Sequence, residues 1–161
     1  RDEPSSPLHE VSNEKWRYSI DMSLTSAFMM TRAVLPSMMA NTYGRIVHIS
    51  SVTGTVVGIH GSTVYGTAKA GMLGMARSLA IEAGSKNITV NCVGPGWIHT
   101  GSSGEDEVTA GQFTPVGRSG TPEEVGHVAV FLASEEASYV TGQLIVVDGG
   151  NTIQEFKVAL S

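Results

Sequence analysis

Apolar positions along the chain alternate between helical spacing and strand spacing. After Ser12, apolar side chains recur every three or four residues as far as position 39, which predicts a long helix capped by Ser12 and kinked at Pro36. The run RIVHIS (45–50) is short, apolar and β-branched, which is typical of a buried strand. A glycine-rich loop over 51–62 then leads into a second predicted helix over 63–83.

The second half of the chain continues this alternation. ITVNCV (88–93) predicts another buried strand, and the long polar stretch 101–120 predicts a mobile loop that could act as a flap. TPEE (121–124) predicts the start of a third helix, because its threonine can cap the helix, its proline suits the first helical position and its second glutamate closes a capping box. QLIVVD (143–148) is the last predicted strand.

The order helix, strand, helix, strand, helix, strand indicates the fold class. Parallel strands joined by helices require right-handed crossovers, so the pattern predicts an α/β fold whose parallel sheet is covered on both faces. We expect one domain over 1–161, because 161 residues suit a single core and no linker interrupts the pattern.

Composition and charge exclude several classes of partner. A net charge of −5 with ten Lys plus Arg offers no basic surface for nucleic acid or an anionic membrane. The apolar runs are shorter than the ~18 residues of a membrane span, and the charged start RDEPSSPLHE (1–10) is unlike a signal peptide. A single cysteine, Cys92, cannot form an internal disulfide. We therefore expect a soluble, cytoplasmic protein.

The stretch YGTAK (65–69) holds the candidate chemistry. Tyr65 and Lys69 stand four residues apart, so they share one face of the second helix, where the ammonium favours the phenolate form of the tyrosine. Ser51 follows the first strand and Gly94-Pro95-Gly96 ends the second, so both strand ends should face the crevice where α/β sheets bind ligands. Proton transfer by a positioned side chain contributes about 10²–10⁴ in rate, so a redox partner or an electrophile must supply the rest.

Other interpretations have weaker sequence support. Tyr65 and Lys69 alone could be ordinary surface residues. A hydrolase triad lacks the G-x-S-x-G signature, the histidines lack metal-ligand spacing, and the glycines of 53–61 are a weak phosphate-binding signal. The residues considered for the triad are Ser51, His60 and Asp148, and those considered for a metal are His48, His60, His99 and Cys92. We expect no metal site.

The motifs together resemble a known family. Ser51, YGTAK (65–69), NCVGPGWIHT (91–100) and the segment 117–150 resemble, in this order, the later two-thirds of a short-chain dehydrogenase/reductase, and most of all the 3-oxoacyl-acyl-carrier-protein reductases. The resemblance implies the later part of a doubly wound Rossmann-type sheet, a three-layer α/β/α fold that lacks its first βαβ units.

The resemblance also implies an activity and roles for residues. It implies NADP- or NAD-dependent hydride transfer between a nicotinamide and a ketone or secondary alcohol, such as a 3-oxoacyl thioester; a small alcohol, sugar or steroid remains an alternative. Tyr65 would be the general acid/base, Ser51 would orient the substrate oxygen, and Lys69 would stabilise the phenolate and hold the nicotinamide ribose. The implied wall of the nicotinamide site is Pro95, Gly96, Ile98 and Thr100. Such enzymes are usually homo-oligomers, tetramers or dimers.

The sequence departs from the family pattern in two ways. Ser23 stands where an asparagine usually helps to hold a proton-relaying water, and serine is shorter. The usual glycine-rich turn that seats the adenosine and pyrophosphate has no counterpart. A competing hypothesis is therefore a truncated, non-catalytic fragment that associates only through its helices.

Overall fold

A parallel sheet of three strands organises the chain. A computed structural model describes residues 5–155. The strands are β1 (Gly44–Ile49), β2 (Ile88–Pro95) and β3 (Leu144–Val147), in the spatial order β1-β2-β3. Both pairs are parallel, and all three strands lie within two residues of their predicted ends. Within the described residues, β1 and β3 are therefore the two edges of the sheet.

Within residues 5–155, six helices accompany the sheet. They are α1 (Asn13–Ile20), α2 (Ser26–Asn41), α3 (Val52–Thr55), α4 (Thr63–Ala83), α5 (Glu105–Gln112) and α6 (Pro122–Ala133), with short 3-10 turns at Leu8–Glu10 and Gly84–Lys86. The α4 helix covers the range that the apolar spacing predicts. The structure does not describe residues 1–4 and 156–161. The single domain over 1–161 therefore stays a prediction.

The helices enclose the sheet on two sides. One core cluster joins α4 to the sheet through buried Leu73 and Ala76 against Ile46 and Val90, with partly buried residues of α2 at its border. A second cluster joins α6 to the other face through Val125 and Leu132 against Val93. The predicted three-layer α/β/α arrangement is confirmed, and it leaves the carboxyl ends of β1 and β2 pointing to one edge.

The first predicted helix is not continuous. The Ser12 side chain accepts a hydrogen bond from the Lys15 N–H at 3.0 Å, as its capping role requires. Between α1 and α2, however, residues Asp21–Thr25 form a π-helical turn. Side-chain spacing alone does not separate this wider turn from an α-helix, since one inserted residue shifts the apolar positions only slightly.

The prediction of a loop over 101–120 is wrong for its central part. Residues 105–112 form α5, which begins with three acidic side chains, Glu105, Asp106 and Glu107, in its first turn. Acidic groups at this end interact favourably with the helix dipole and offset the low helix propensity of Gly111. Residue Gly111 is required here, because a Cβ would lie 2.7 Å from the backbone nitrogen of Ser119.

A contact between two glycines holds the loop after β1 against α4. Gly54 has a φ of +90°, and a Cβ at this position would lie 2.1 Å from the backbone oxygen of Gly66. The Gly54 N–H donates to the Val57 oxygen at 2.7 Å, which closes the turn. This approach brings Ser51, at the start of the turn, close to Tyr65, next to Gly66 on α4.

We predict that Gly54→Ala destabilises the fold by about 3 kcal/mol or more, because the methyl group meets backbone and the φ suits only glycine. Gly74→Ala is the matched control, since Gly74 is exposed on the same α4 helix with no atom within 4 Å of its added Cβ. That substitution should raise the free energy of unfolding by about 0.5–1 kcal/mol. Urea unfolding of both variants tests this, and equal effects would contradict the role of the Gly54 contact.

Candidate active site

A cavity of about 500 Å³ opens beyond the carboxyl ends of β1 and β2. The predicted residues that line it are Ser51, Tyr65, Lys69, Pro95, Gly96 and Ile98. Side chains from three separate parts of the chain therefore meet at one crevice, as the strand-end argument predicts.

Ser51 presents its hydroxyl at the end of β1. The residue is buried, and its Oγ accepts a hydrogen bond from the Thr53 N–H at 3.1 Å. Its backbone oxygen accepts a further hydrogen bond from the Thr55 hydroxyl. Among residues 5–155 the Ser51 hydroxyl makes no other hydrogen bond, so its proton can be donated to an oxygen in the cavity.

Tyr65 and Lys69 lie one turn apart at the N-terminal end of α4. The Lys69 ammonium nitrogen lies 5.5 Å from the centre of the Tyr65 ring. Lys69 Nζ donates to the Ile49 backbone oxygen at 2.9 Å. In return, the Ser50 hydroxyl donates to the Lys69 backbone oxygen at 2.9 Å. These two hydrogen bonds fix the lysine and the helix against the end of β1.

Burial changes the acidity of the lysine. The pKa of the Lys69 amine is lowered because burial penalises its charged form, and only the negative charge of the neighbouring Cys92, in its thiolate form, opposes this shift. A lysine with a lowered pKa loses its proton closer to neutral pH than an exposed lysine does.

The end of β2 forms the opposite wall of the cavity. The Gly96 N–H donates to the Val147 oxygen at 2.9 Å, and a Cβ on Gly96 would lie 2.6 Å from the Asp148 Cβ. Glycine is therefore required where β2 passes the end of β3. Pro95 and Ile98 add an apolar surface beside it.

Thr100 lies outside the cavity that the other predicted cofactor residues line. It is exposed, and its Oγ1 lies 3.1 Å from Ser102 Oγ and 3.2 Å from Ser103 Oγ. The structure therefore brings Tyr65 and Lys69 together with the residues at the end of β2. Thr100 lies outside this cavity, next to other hydroxyl groups.

Three further side chains of the cavity wall were not singled out from the sequence. Trp97 follows the Gly-Pro-Gly end of β2, Glu107 comes from α5, and Asn151 follows the two glycines after β3. The position after each strand end is a signal that could have found Trp97 and Asn151. Glu107 could not be found in this way, because it depends on the packing of the unpredicted α5.

The structure offers no support for the hydrolase and metal interpretations. His60 is exposed and does not line the cavity, and the Asp148 carboxylate accepts hydrogen bonds from the backbone N–H groups of Gly150 and Thr152. Between residues 5 and 155 no group of three His, Cys, Asp or Glu side chains could hold a metal ion. No helix in the same range is long and apolar enough to cross a bilayer.

Comparison with known proteins gives consistent matches. The family profile described as enoyl-(acyl carrier protein) reductase matches residues 2–152. The 3-oxoacyl-[acyl-carrier-protein] reductase FabG of Chlamydia muridarum is 44% identical over 147 residues, which cover 89% of this chain and 59% of the relative. The (2S)-[(R)-hydroxy(phenyl)methyl]succinyl-CoA dehydrogenase subunit BbsD of Thauera aromatica is 40% identical over 155 residues, which cover 94% of this chain and 62% of the relative.

Solved structures agree with the sequence matches. A crystal structure of a 3-oxoacyl-[acyl-carrier protein] reductase with bound NAD from Brucella melitensis superposes with a TM-score of 0.84 at 35% identity. The match covers 93% of this chain and 56% of that one. The chain thus spans about three-fifths of the length of the proteins it matches.

Ser23 lies on the other side of Lys69, in a second cavity of about 320 Å³. Its side chain lies in the π-helical turn, and its backbone oxygen accepts a hydrogen bond from the Ser26 hydroxyl at 3.0 Å. His48 of β1 also lines this cavity; it is only 8% exposed, and within the described residues its Nε2 has no hydrogen-bond partner. Burial lowers the pKa of the His48 imidazole.

We predict that His48 makes the fold less stable in mild acid. Its lowered pKa means that, as pH falls below about 6.5, the unfolded chain binds a proton that the folded chain resists. Stability is therefore retained above pH 6.5 and decreases as pH falls towards the folded-state pKa. Replacing His48 by Asn should make the free energy of unfolding less dependent on pH between 7.5 and 5.5.

The matched control for this measurement is His127→Asn, because His127 is exposed on α6. That variant should keep the pH dependence of the wild type in denaturant titrations. If both variants changed the dependence equally, or neither did, buried His48 would not be its source.

Proposed function

Because this chain belongs to the short-chain dehydrogenase/reductase family, we propose that it carries the catalytic part of an NAD(P)-dependent oxidoreductase that interconverts ketones and secondary alcohols. We propose that it forms the later two-thirds of such a fold. The main observation behind the proposal is that Ser51, Tyr65 and Lys69 line one cavity, which is large enough for a small ketone.

In this proposal, side chains of this chain carry out the proton transfer. In the direction of reduction, the Tyr65 hydroxyl donates its proton to the substrate oxygen, while the Ser51 hydroxyl donates a hydrogen bond to the same oxygen. The Lys69 ammonium then stabilises the phenolate that remains. Two opposite unit charges about 5 Å apart at an effective dielectric near 20 attract each other by about 3 kcal/mol. An attraction of this size makes the phenolate considerably easier to form.

The donor set also fits a nicotinamide cofactor. An ammonium group has three donors, and among the described residues Lys69 uses one of them, on the Ile49 oxygen, so two suit the hydroxyls of a ribose. Pro95, Gly96 and Ile98 provide an apolar wall suited to the nicotinamide ring. A bound NADP or NAD supplies the hydride in reduction and accepts it in oxidation. Thr100 would reach the cofactor only after a rearrangement, whereas Ser23 lines the second cavity together with Lys69, where a relay water could lie.

The relatives favour an acyl thioester as substrate. One matched protein is a 3-oxoacyl-acyl-carrier-protein reductase and another is a dehydrogenase of a hydroxyl-bearing succinyl-CoA derivative, which supports a 3-oxoacyl thioester or a related ketone. We propose that the protein is cytoplasmic and assembles as a homodimer or homotetramer. Exposed apolar side chains on α2, namely Phe28, Met29 and Met30 at 45%, 53% and 67% exposure, would be covered in such an assembly.

We predict that Tyr65→Phe lowers kcat by at least about 10²-fold, because the proton donor is lost. Cofactor affinity should change little, because Lys69 and the β2 wall remain. Rates are measured with a 3-oxoacyl thioester and NADPH or NADH, and affinity by calorimetry. Tyr18→Phe is the matched control, since Tyr18 is exposed on α1 and should give wild-type rates. Absence of saturable cofactor binding by the wild-type chain would instead favour the non-catalytic fragment.

The lowered pKa of Lys69 predicts a limit at alkaline pH. Activity requires the charged amine, so it should fall as pH rises through a pKa below the ordinary 10.5 of lysine. Lys69→Arg stays charged and should move this limb of the pH–rate profile to higher pH, even if its maximal rate is reduced. Lys86→Arg, at an exposed position, should leave the profile unchanged. An unshifted limb in Lys69→Arg would show that another group titrates.

A further inference from the structure

Asn151 places a buried amide in the wall of the active-site cavity. The residue is only 5% exposed, and it lines the same cavity as Ser51 and Tyr65. Its backbone N–H is bonded, but its side-chain amide makes no hydrogen bond to any residue between 5 and 155. Among the described residues the fully buried polar side-chain atoms without a partner are His48 Nε2 and Thr89 Oγ1, so the Asn151 amide keeps contact with the cavity, where a ligand can supply its hydrogen bond.

The loop after β3 holds Asn151 in a fixed position. The Asp148 carboxylate accepts hydrogen bonds from the N–H groups on both sides of Asn151, at 2.9 Å from Gly150 and 2.7 Å from Thr152. The Asn151 N–H donates to the Asp148 backbone oxygen at 3.1 Å. Asp148 in turn packs against Gly96 at the end of β2. The amide is therefore positioned by the same strand ends that position the catalytic groups.

The segment after α5 packs on this loop from the other side. The Val116 N–H donates to the Gly149 oxygen at 3.2 Å, and a Cβ on Gly150 would lie 3.0 Å from the Pro115 side chain. Glu107 of α5 adds a carboxylate to the cavity wall, and its Oε2 accepts from the Gly104 N–H at 3.4 Å. The remaining wall is mainly apolar, including Val52, Val57, Ile59, Trp97 and Val125.

We propose that Asn151 is a specificity-determining residue that binds a neutral hydrogen-bonding group of the substrate, an amide or a hydroxyl, away from the carbonyl that is reduced. The inference rests on the proposed function, because it names the substrate class of the same cavity. An amide side chain both donates and accepts, which matches either group. The Glu107 carboxylate, which also lines the cavity, disfavours a substrate that carries a negative charge near it.

The physical basis of selection is the cost of leaving the amide unpaired. A substrate with a matching polar group forms a hydrogen bond with the Asn151 amide. An otherwise identical apolar substrate displaces water from the amide and forms no hydrogen bond in its place. Sites built to bind a polar substrate group reject analogues without it far more strongly than apolar pockets reject a missing methylene. Asn151 should therefore affect the choice between substrates more than the reaction common to both.

Two matched pairs of ketones test the proposal. The first pair is the N-acetylcysteamine thioester of 3-oxobutanoate, which carries an amide, and the S-alkyl thioester of equal length without it. The second pair is a hydroxyl-bearing aliphatic ketone and its deoxy analogue. We expect the wild-type protein to prefer the polar member of one pair by about tenfold or more in kcat/KM, and the preferred pair identifies the group. Asn151→Leu should reduce that ratio to near one.

Gln154→Leu is the matched control, because its amide lies on the same loop but donates to the Phe113 backbone oxygen at 2.8 Å instead of facing the cavity. This variant should retain the wild-type ratio. A preference that persists in Asn151→Leu would overturn the proposal, as would the absence of any preference in the wild type.

Equilibrium binding separates this inference from the proposed function. Calorimetry with the Tyr65→Phe protein measures affinity for the same ketones without turnover, and adding Asn151→Leu should remove the preference for the polar ketone. If the wild type reduces no ketone, the proposed function fails, and the binding ratio still decides the role of Asn151. Should Asn151→Leu not fold, Asn151→Ser in the same assay must weaken the preference; an unchanged ratio would refute the role.

Discussion

The candidate site depends on two reciprocal hydrogen bonds between α4 and the end of β1. Lys69 donates to the Ile49 oxygen, and Ser50 donates to the Lys69 oxygen, both at 2.9 Å. The first bond holds the ammonium beside the Tyr65 ring, and the second holds the helix that carries both residues. Because the bonds use backbone oxygens, the strand itself sets the distance between Ser51 and the helix, and the chemistry follows from the register of the sheet.

Different strand ends and helices contribute different residues to the cavity wall. The end of β1 provides Ser51, α4 provides Tyr65 and Lys69, the end of β2 provides an apolar surface, and the loop after β3 provides Asn151. Glycines make this convergence possible, because Gly54 and Gly96 each occupy a place where a Cβ would overlap neighbouring atoms. Small residues at these contacts let four separate chain segments approach one small volume.

Much of the fold could be predicted from local patterns. The α4 helix, the strands and the Thr121 cap of α6 follow from apolar spacing and capping residues, and the Thr121 Oγ1 does accept from the Glu124 N–H at 3.3 Å. Ser51, Tyr65 and Lys69 could be placed together because parallel strands end at one edge. Glu107 could not, because α5 is a short helix within a polar, glycine-containing stretch, and only its packing against the cavity gives that carboxylate a role.

The position of β1 at an edge of the sheet has a practical consequence. Among residues 5–155 no strand pairs with its outer side, and such an edge can pair with a strand from another molecule or from a further part of the same protein. An edge that stays open favours intermolecular β-pairing. A charged side chain that faces solvent on this strand would oppose such pairing.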